Sequence, residues 1–280
     1  MTQNFKTVIR PKTGWRDINL KEIWQYRDLI FLFVKRNFST RYKQTILGPA
    51  WLILSPLIST LISTFVFGTI AEIPSDGVPY FLFYMCGNTA WSYFAYCLNS
   101  TSGTFTGNAG VFGKVYFPRL VSPISAVITG LMEMAVQVAM FAAFWIYFKL
   151  NGAAISFTWV ALLIPALILQ MAALGLGCGI IISSLTTKYR DLSVLVGFGV
   201  SLWMYITPII YSTTSLPDNL RAICMINPMT PVVELIRYGC LGTGEISMGY
   251  WGLSIAVTAV LLVFGVVLFS KVEKTFMDTV

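Results

Sequence analysis

The sequence predicts an all-α membrane protein. Six transmembrane helices, cytoplasmic N- and C-termini, an amphipathic N-terminal interface helix and short re-entrant outer helices between spans five and six make up the expected architecture. Three observations lead there. Of 280 residues, 56% are hydrophobic and 11% charged, whereas soluble domains carry about 25% charge, so the polar residues that would cover a core against water are missing. Six segments reach or approach the roughly 20 apolar residues that cross a bilayer. The basic residues are concentrated in alternate connections, as positive-inside topology requires.

The elements follow in order. Residues 1–44 form a polar N-terminal segment of mixed charge, with no short apolar run after Met1, so a secretory leader is not expected and the first span serves as the insertion signal. Within it, 19–38 reads as an amphipathic helix. Asn19 caps it, Glu22 closes a capping box, and Ile23, Trp24, Ile30, Phe31 and Val34 recur at helical spacing among Lys21, Arg27, Asp28 and Lys35. Such a helix lies in the membrane interface. The membrane domain spans 45–271, with spans at Ile46–Ala71, Val78–Ser100, Leu120–Phe148, Thr158–Ser183, Leu192–Tyr211 and Ile246–Ser270, and a cytoplasmic tail follows at 272–280. Glu133 is the only acidic or basic side chain inside these spans. With both termini inside, 16 of the 19 basic residues fall on inner pieces, leaving only Lys149, Arg221 and Arg237 outside. Residues 212–245 hold Pro217, Pro228 and Pro231 yet remain apolar, so Arg221–Ile226 and Val232–Leu241 read as short helices broken at Asn227-Pro228. Breaks of this kind are tolerated at membrane depth only under cover of protein or a wet cavity.

Composition also excludes chemistry. With no histidine, an imidazole metal site, a Ser–His–Asp triad and a histidine proton relay are ruled out. The five cysteines form no C-x-x-C pair, so no metal site is expected. Pairing of Cys224 with Cys240, which share one segment, is left open by spacing alone. Gly107–Lys114 resembles a phosphate loop and fails as one. One residue too many separates Gly107 from Gly113, and Val115 stands where a magnesium-binding Ser or Thr belongs. No catalytic residue and no cofactor are expected in this chain, so any Mg-ATP that drives it binds a separate subunit. Residues 1–43 carry the whole net charge of +7; beside six spans this points to anionic membrane lipid, not to nucleic acid.

Several patterns admit two readings. Ser55, Ser59 and Ser63 share one face of span one, either as a hydroxyl-lined channel wall or as small residues for close helix packing. The aromatic residues of span two, Tyr84 and Trp91 among them, suit a sugar-stacking track or an interfacial belt. Glu133 faces the bundle interior, as a structural group or a proton carrier. Arg36, Arg41 and Lys43 could hold a lipid pyrophosphate or set topology. The loops with Lys114, Tyr116, Phe117 and Arg119, and with Tyr189, Arg190 and Asp191, are docking surfaces or ordinary positive-inside loops.

An ordered set of motifs resembles one family. Arg41-Tyr42-Lys43-Gln44-Thr45-Ile46-Leu47-Gly48-Pro49-Ala50-Trp51, then Pro56-Leu57 and Phe67-Gly68, resembles the opening of ABC-2-type polysaccharide export permeases, which include O-antigen, capsule and teichoic acid exporters. Lys114–Arg119, Tyr189-Arg190-Asp191-Leu192, Thr207-Pro208-Ile209-Ile210-Tyr211, Asn227-Pro228-Met229 and the tail Glu273–Asp278 follow in the family's order. Ser122-Pro123 departs from the Leu-Pro expected there. The resemblance implies a multi-pass protein of the bacterial inner membrane that works as a homodimer with two copies of a separate ABC ATPase, which binds the Mg-ATP. It implies a cargo glycan, O-antigen foremost, on a polyprenyl pyrophosphate carrier. The loops at 107–119 and 186–192 become coupling elements. Trp51, Ser55, Ser59, Ser63, Tyr84, Trp91 and Trp203 become channel residues, and Tyr211, Asn227 and Pro228 the outer gate. Export of a drug or haem, or a polytopic glycosyltransferase, stands as the alternative.

Overall fold

The computed structural model describes residues 20–43, 45–189 and 191–279, with side chains described within 21–273. The expected cap at Asn19 and the coupling residue Arg190 lie outside the described residues. Every regular element described is helical: α1 Leu20–Gln25, α2 Arg27–Tyr42, α3 Trp51–Ser63, α4 Tyr80–Ser102, α5 Thr104–Phe112, α6 Val121–Leu150, α7 Ile164–Thr186, α8 Leu192–Ile206, α9 Asp218–Ile226, α10 Met229–Leu241 and α11 Met248–Thr279. The helices pack in the order α11, α7, α4, α6, α2, with α3 laid on α4 and α6, and α10 tucked against α4 and α7.

Four helical stretches among the described residues are long and apolar enough to cross a membrane: Gly48–Ile70, Val121–Leu150, Trp159–Thr186 and Met248–Glu273. The other two expected spans differ for physical reasons. Helix α4 has 23 residues, enough length, but protein surrounds it: Phe83, Tyr84, Phe94 and Leu98 are buried. A helix coated by its neighbours does not need the apolarity that lipid demands, so it can carry Asn88, Thr89, Ser92 and Asn99. Helix α8 stops after 15 residues, about 22 Å at 1.5 Å per residue. Thr207 takes an extended conformation, as a residue before proline must, so the expected helix to Tyr211 ends at Ile206.

The interface helix also departs from expectation. It breaks at Tyr26 and runs on to Tyr42 instead of stopping at 38. Ile30, Phe33 and Val34 are buried against the bundle, whereas Trp24, Phe31 and Leu32 stay exposed. The helix is therefore apolar on two sides, one packed on the bundle and one, with Trp24 and Phe31, facing outward. After α3 the backbone passes into a π-helix over Thr64–Ile70, a wound form common near functional sites that no local pattern signals.

Small residues let α7 sit between α4 and α11. A side chain at Gly177 would place its first carbon 2.9 Å from the Leu262 backbone nitrogen, and backbone cannot step aside. Gly177→Leu is expected to separate α7 from α11 at a cost of about 1–3 kcal/mol or more, read as a lowered melting temperature in detergent; an unchanged melt would show the contact to be slack.

Candidate functional site

A polar cleft of about 600 Å3 opens where the end of α2 meets α3, α4 and α6. Arg41 and Tyr42 close it from α2. Trp51, Leu52, Ser55 and Pro56 form the α3 wall, Ser92, Tyr96, Asn99 and Ser100 the α4 wall, and Glu133 and Gln137 the α6 wall. Pro56, on this wall, has no N–H to give the Leu52 carbonyl. Arg41 lies with its guanidinium carbon 4.8 Å from the Tyr96 ring centre and its Nη1 3.4 Å from Glu133 Oε1. Gly130, one turn before Glu133, makes this possible: any side chain there would meet the Tyr96 ring at 2.6 Å. Ser92 donates to Gln137 Oε1 at 2.8 Å and ties α4 to α6 beneath the pair. Burial, then the neighbouring Glu133 carboxylate, pushes the Tyr42 hydroxyl well above its ordinary value, so Tyr42 stays a neutral donor.

The cleft continues along α3. Trp51 and Ser55 line both it and a shallower furrow of about 360 Å3 bounded by Ile58, Ser59, Ile62 and Ser63. Trp51, Ser55 and Ser59 are exposed, while Ser63 is buried. The remaining channel candidates sit elsewhere. Tyr84 and Trp91 are buried inside the chain, and Trp203 packs edge-on against Phe94 at 5.0 Å and donates its Nε1–H to Asn227 Oδ1 at 2.9 Å. The sequence showed their aromatic character; that α4 is the interior helix, which turns them from wall into core, is a matter of packing.

The three basic residues assigned to a pyrophosphate do not converge. Arg41 enters the cleft. Arg36 donates to Asn108 Oδ1 at 3.4 Å and covers the Phe33 ring at 4.4 Å. Lys43 lies on a separate groove of about 830 Å3 whose floor is Phe31, Val34, Phe38, Ile128 and Met132. Arg36 and Arg41, five residues apart on α2, lie on different faces of the helix, and Lys43 follows its end in extended conformation.

The two connecting loops, one before α6 and one after α7, divide into anchors and exposed tips. Phe117 is buried, with its ring 5.6 Å from both Phe33 and Phe112. Arg119 covers Phe112 at 5.5 Å and donates to the Glu273 carbonyl at 2.7 Å; burial lowers its ordinary value without threatening its charge. Lys114, Val115 and Tyr116 project, Tyr116 being 74% exposed. In the second loop Lys188, Tyr189 and Asp191 are exposed, with Lys188 Nζ 5.4 Å from the Tyr189 ring centre.

At the far end, Asn227 clasps three elements. Its Oδ1 accepts from Trp203 Nε1–H and from the Met229 N–H at 3.1 Å, and its Nδ2 donates to Thr207 Oγ1 at 2.9 Å. Tyr211 donates to the Ile206 carbonyl at 3.0 Å, closing the turn after α8. The Pro228 carbonyl accepts from Ser254 Oγ, which itself accepts from Gln170 Nε2 at 2.7 Å. Asn227 and Pro228 thus sit on one hydrogen-bonded hub joining α7, α8, α10 and α11, and Tyr211 stands beside it. Cys224 lies by the Tyr211 hydroxyl at 3.7 Å, Cys240 is buried beside Cys86, and all five thiols are free.

Two residues that the sequence reading passed over prove central. Arg237, counted only among the outer basic residues, and Glu234 form a fully buried ion pair at 3.0 Å. Arg237 also donates to the Pro208 carbonyl at 2.9 Å and lies 3.8 Å over the Phe83 ring. Their i, i+3 spacing on a helix was the available signal.

Residues 28–241 match the family described as ABC-2 type transporter. Among known relatives, the O-antigen export system permease protein RfbA of Klebsiella pneumoniae is 28% identical over 256 residues, covering 90% of this chain and 94% of its own. RfbA of Myxococcus xanthus is 24% identical over 217 residues, 78% of this chain and 80% of its own. The polysialic acid transport protein KpsM of Escherichia coli is 26% identical over 254 residues, 87% and 93%.

Proposed function

The chain belongs to the ABC-2 type transporter family, and from that premise we propose that it is the permease subunit of an ATP-driven exporter of surface polysaccharide, O-antigen foremost, carried on polyprenyl pyrophosphate across the bacterial inner membrane. In this reading six spans cross with both termini inside: α3 with its π-helical end, α4, α6, α7, α8 and α11, with α9 and α10 re-entering from outside. Two copies pair with two copies of a separate ATPase that binds Mg-ATP, and this chain performs no catalysis.

One observation carries the proposal. Helix α3 is the least covered of the apolar spans, yet its open face holds Ser55 and Ser59 in a furrow continuous with the Arg41 cleft. A lipid-facing helix gains nothing from hydroxyls at successive turns. A second copy set against that face would enclose a hydroxyl-lined path, which binds a sugar chain weakly enough for it to slide. The cleft at its start offers Arg41, whose fork of donors matches a phosphate, and the exposed tips at Tyr116 and Tyr189 offer the ATPase a grip. Glycan is favoured over drug or haem because relatives matched over nearly their whole length are named for O-antigen and polysialic acid.

Leucine at both Ser55 and Ser59 is expected to abolish surface glycan while the complex with the ATPase still purifies intact. Ser63 is left alone because it is buried and leucine there would disturb packing. Normal glycan display by the double variant would overturn the channel assignment.

A further inference from the structure

We infer that Glu133 is an internal counter-anion, which occupies Arg41 in the resting cleft and must yield it to the phosphate of the arriving substrate. The inference rests on the reading of the cleft as a head-group site and adds to it a residue that sets affinity.

The geometry separates this role from a structural one. A buried carboxylate that only holds helices together has its oxygens bonded to donors. Glu133 Oε1 accepts no hydrogen bond from the protein, although Arg41 Nη1 stands 3.4 Å away. Charge-assisted N–H···O bonds close to about 2.7–2.9 Å when they are made in earnest, so this pair attracts without locking. The two partners are also unequal. The Arg41 side chain is 50% exposed and the Glu133 side chain 12%, so the cation can turn toward the cleft while the carboxylate remains on α6. Two neutral neighbours are already committed: Gln137 Oε1 accepts from Ser92, and Tyr96 presents its ring to the guanidinium.

The physical consequence concerns release as much as binding. An export channel must take up a pyrophosphate and then let it go. An arginine with no competitor would hold a dianionic group tightly, whereas one with a tethered carboxylate exchanges partners, the carboxylate closing behind the departing phosphate. Tyr42, beside Glu133, gives the carboxylate a donor to rest on while Arg41 is engaged.

The test is calorimetric titration of the full-length chain in nanodiscs with farnesyl pyrophosphate, comparing the natural protein with Glu133→Gln, Glu133→Asp and Arg41→Gln. Glu133→Gln keeps size and hydrogen bonding while removing the competing charge, and is expected to tighten binding roughly fivefold, the worth of a partly exposed ion pair near the top of its range. Glu133→Asp should bind as the natural protein does, and Arg41→Gln should not bind. A structural role would give the opposite sign, weaker binding with a lowered melt. Unchanged or weaker binding by Glu133→Gln, with binding still dependent on Arg41, overturns the counter-anion and leaves the head-group site standing. Full binding by Arg41→Gln, or none by the natural protein, overturns the head-group reading itself and the inference with it.

Discussion

Arg237→Ala is expected to cost the protein about 3–5 kcal/mol, the penalty for removing one partner of a buried ion pair. The loss has three parts. Glu234 is left charged and enclosed, the Pro208 and Ile209 carbonyls lose their donor, and the Phe83 face loses its cation. The ion pair lies within α10, while the other two contacts tie α10 to its neighbours: to the turn after α8 through residues 208–209, and to α4 through Phe83. The variant should therefore melt far below the natural protein in detergent, with the far end of the bundle loosening first. Arg237→Lys should rescue little, because an ammonium cannot reproduce the planar fork that reaches a carboxylate and two carbonyls together. A double variant, Glu234→Leu with Arg237→Met, removes both charges and should recover much of the loss, since apolar replacement of a whole buried pair is often neutral. If the double variant were no more stable than Arg237→Ala, the burial of an unpaired carboxylate would not be the cause.

The second large effect distinguishes neighbours in one loop. Phe117→Ala is expected to cost about 3–5 kcal/mol by opening a cavity between Phe33 and Phe112, the rings that join α2 to α5. Tyr116→Ala removes a side chain that touches solvent and should leave the melt where it is. Its effect should appear instead in the complex: ATP hydrolysis no longer tied to export, or a weakened hold on the ATPase. Melting curves and co-purification of the two variants side by side separate the roles. A stable Phe117→Ala would show that the inner aromatic cluster is dispensable. A Tyr116→Ala chain that still couples would remove that side chain from the docking surface.

That contrast shows where sequence reading reaches its limit. Tyr116 and Phe117 are both aromatic, adjacent and set in a basic loop, so nothing local tells them apart. Phe33, 84 positions earlier, decides that one is core. The same holds on α4, where Tyr84 and Trp91 read as a sugar track until α7, α10 and α6 close over them. It holds for Arg36, Arg41 and Lys43, which do not share one surface: Arg41 enters the cleft, Arg36 meets Asn108 and Lys43 borders the groove by Phe31. The broken helix pair was legible, because Asn227-Pro228 interrupts a helix by its own chemistry, and α9 and α10 flank that break.

By itself, then, the sequence determined that this chain lives in a membrane, that most of its length is helix, where the long apolar stretches and the prolines divide it, and which family it belongs to. These follow from local and additive properties: the cost of polar groups in lipid, the loss of an N–H at proline and an ordered set of short motifs. Only the tertiary structure decided which helix is interior, which serines are open, that Arg237 and Glu234 are buried together, and that Arg41 shares a cleft with Glu133. The physical reason is that a side chain's burial and its charge partner depend on residues far away in the chain, and no periodicity along a single helix encodes what another helix will bring to it.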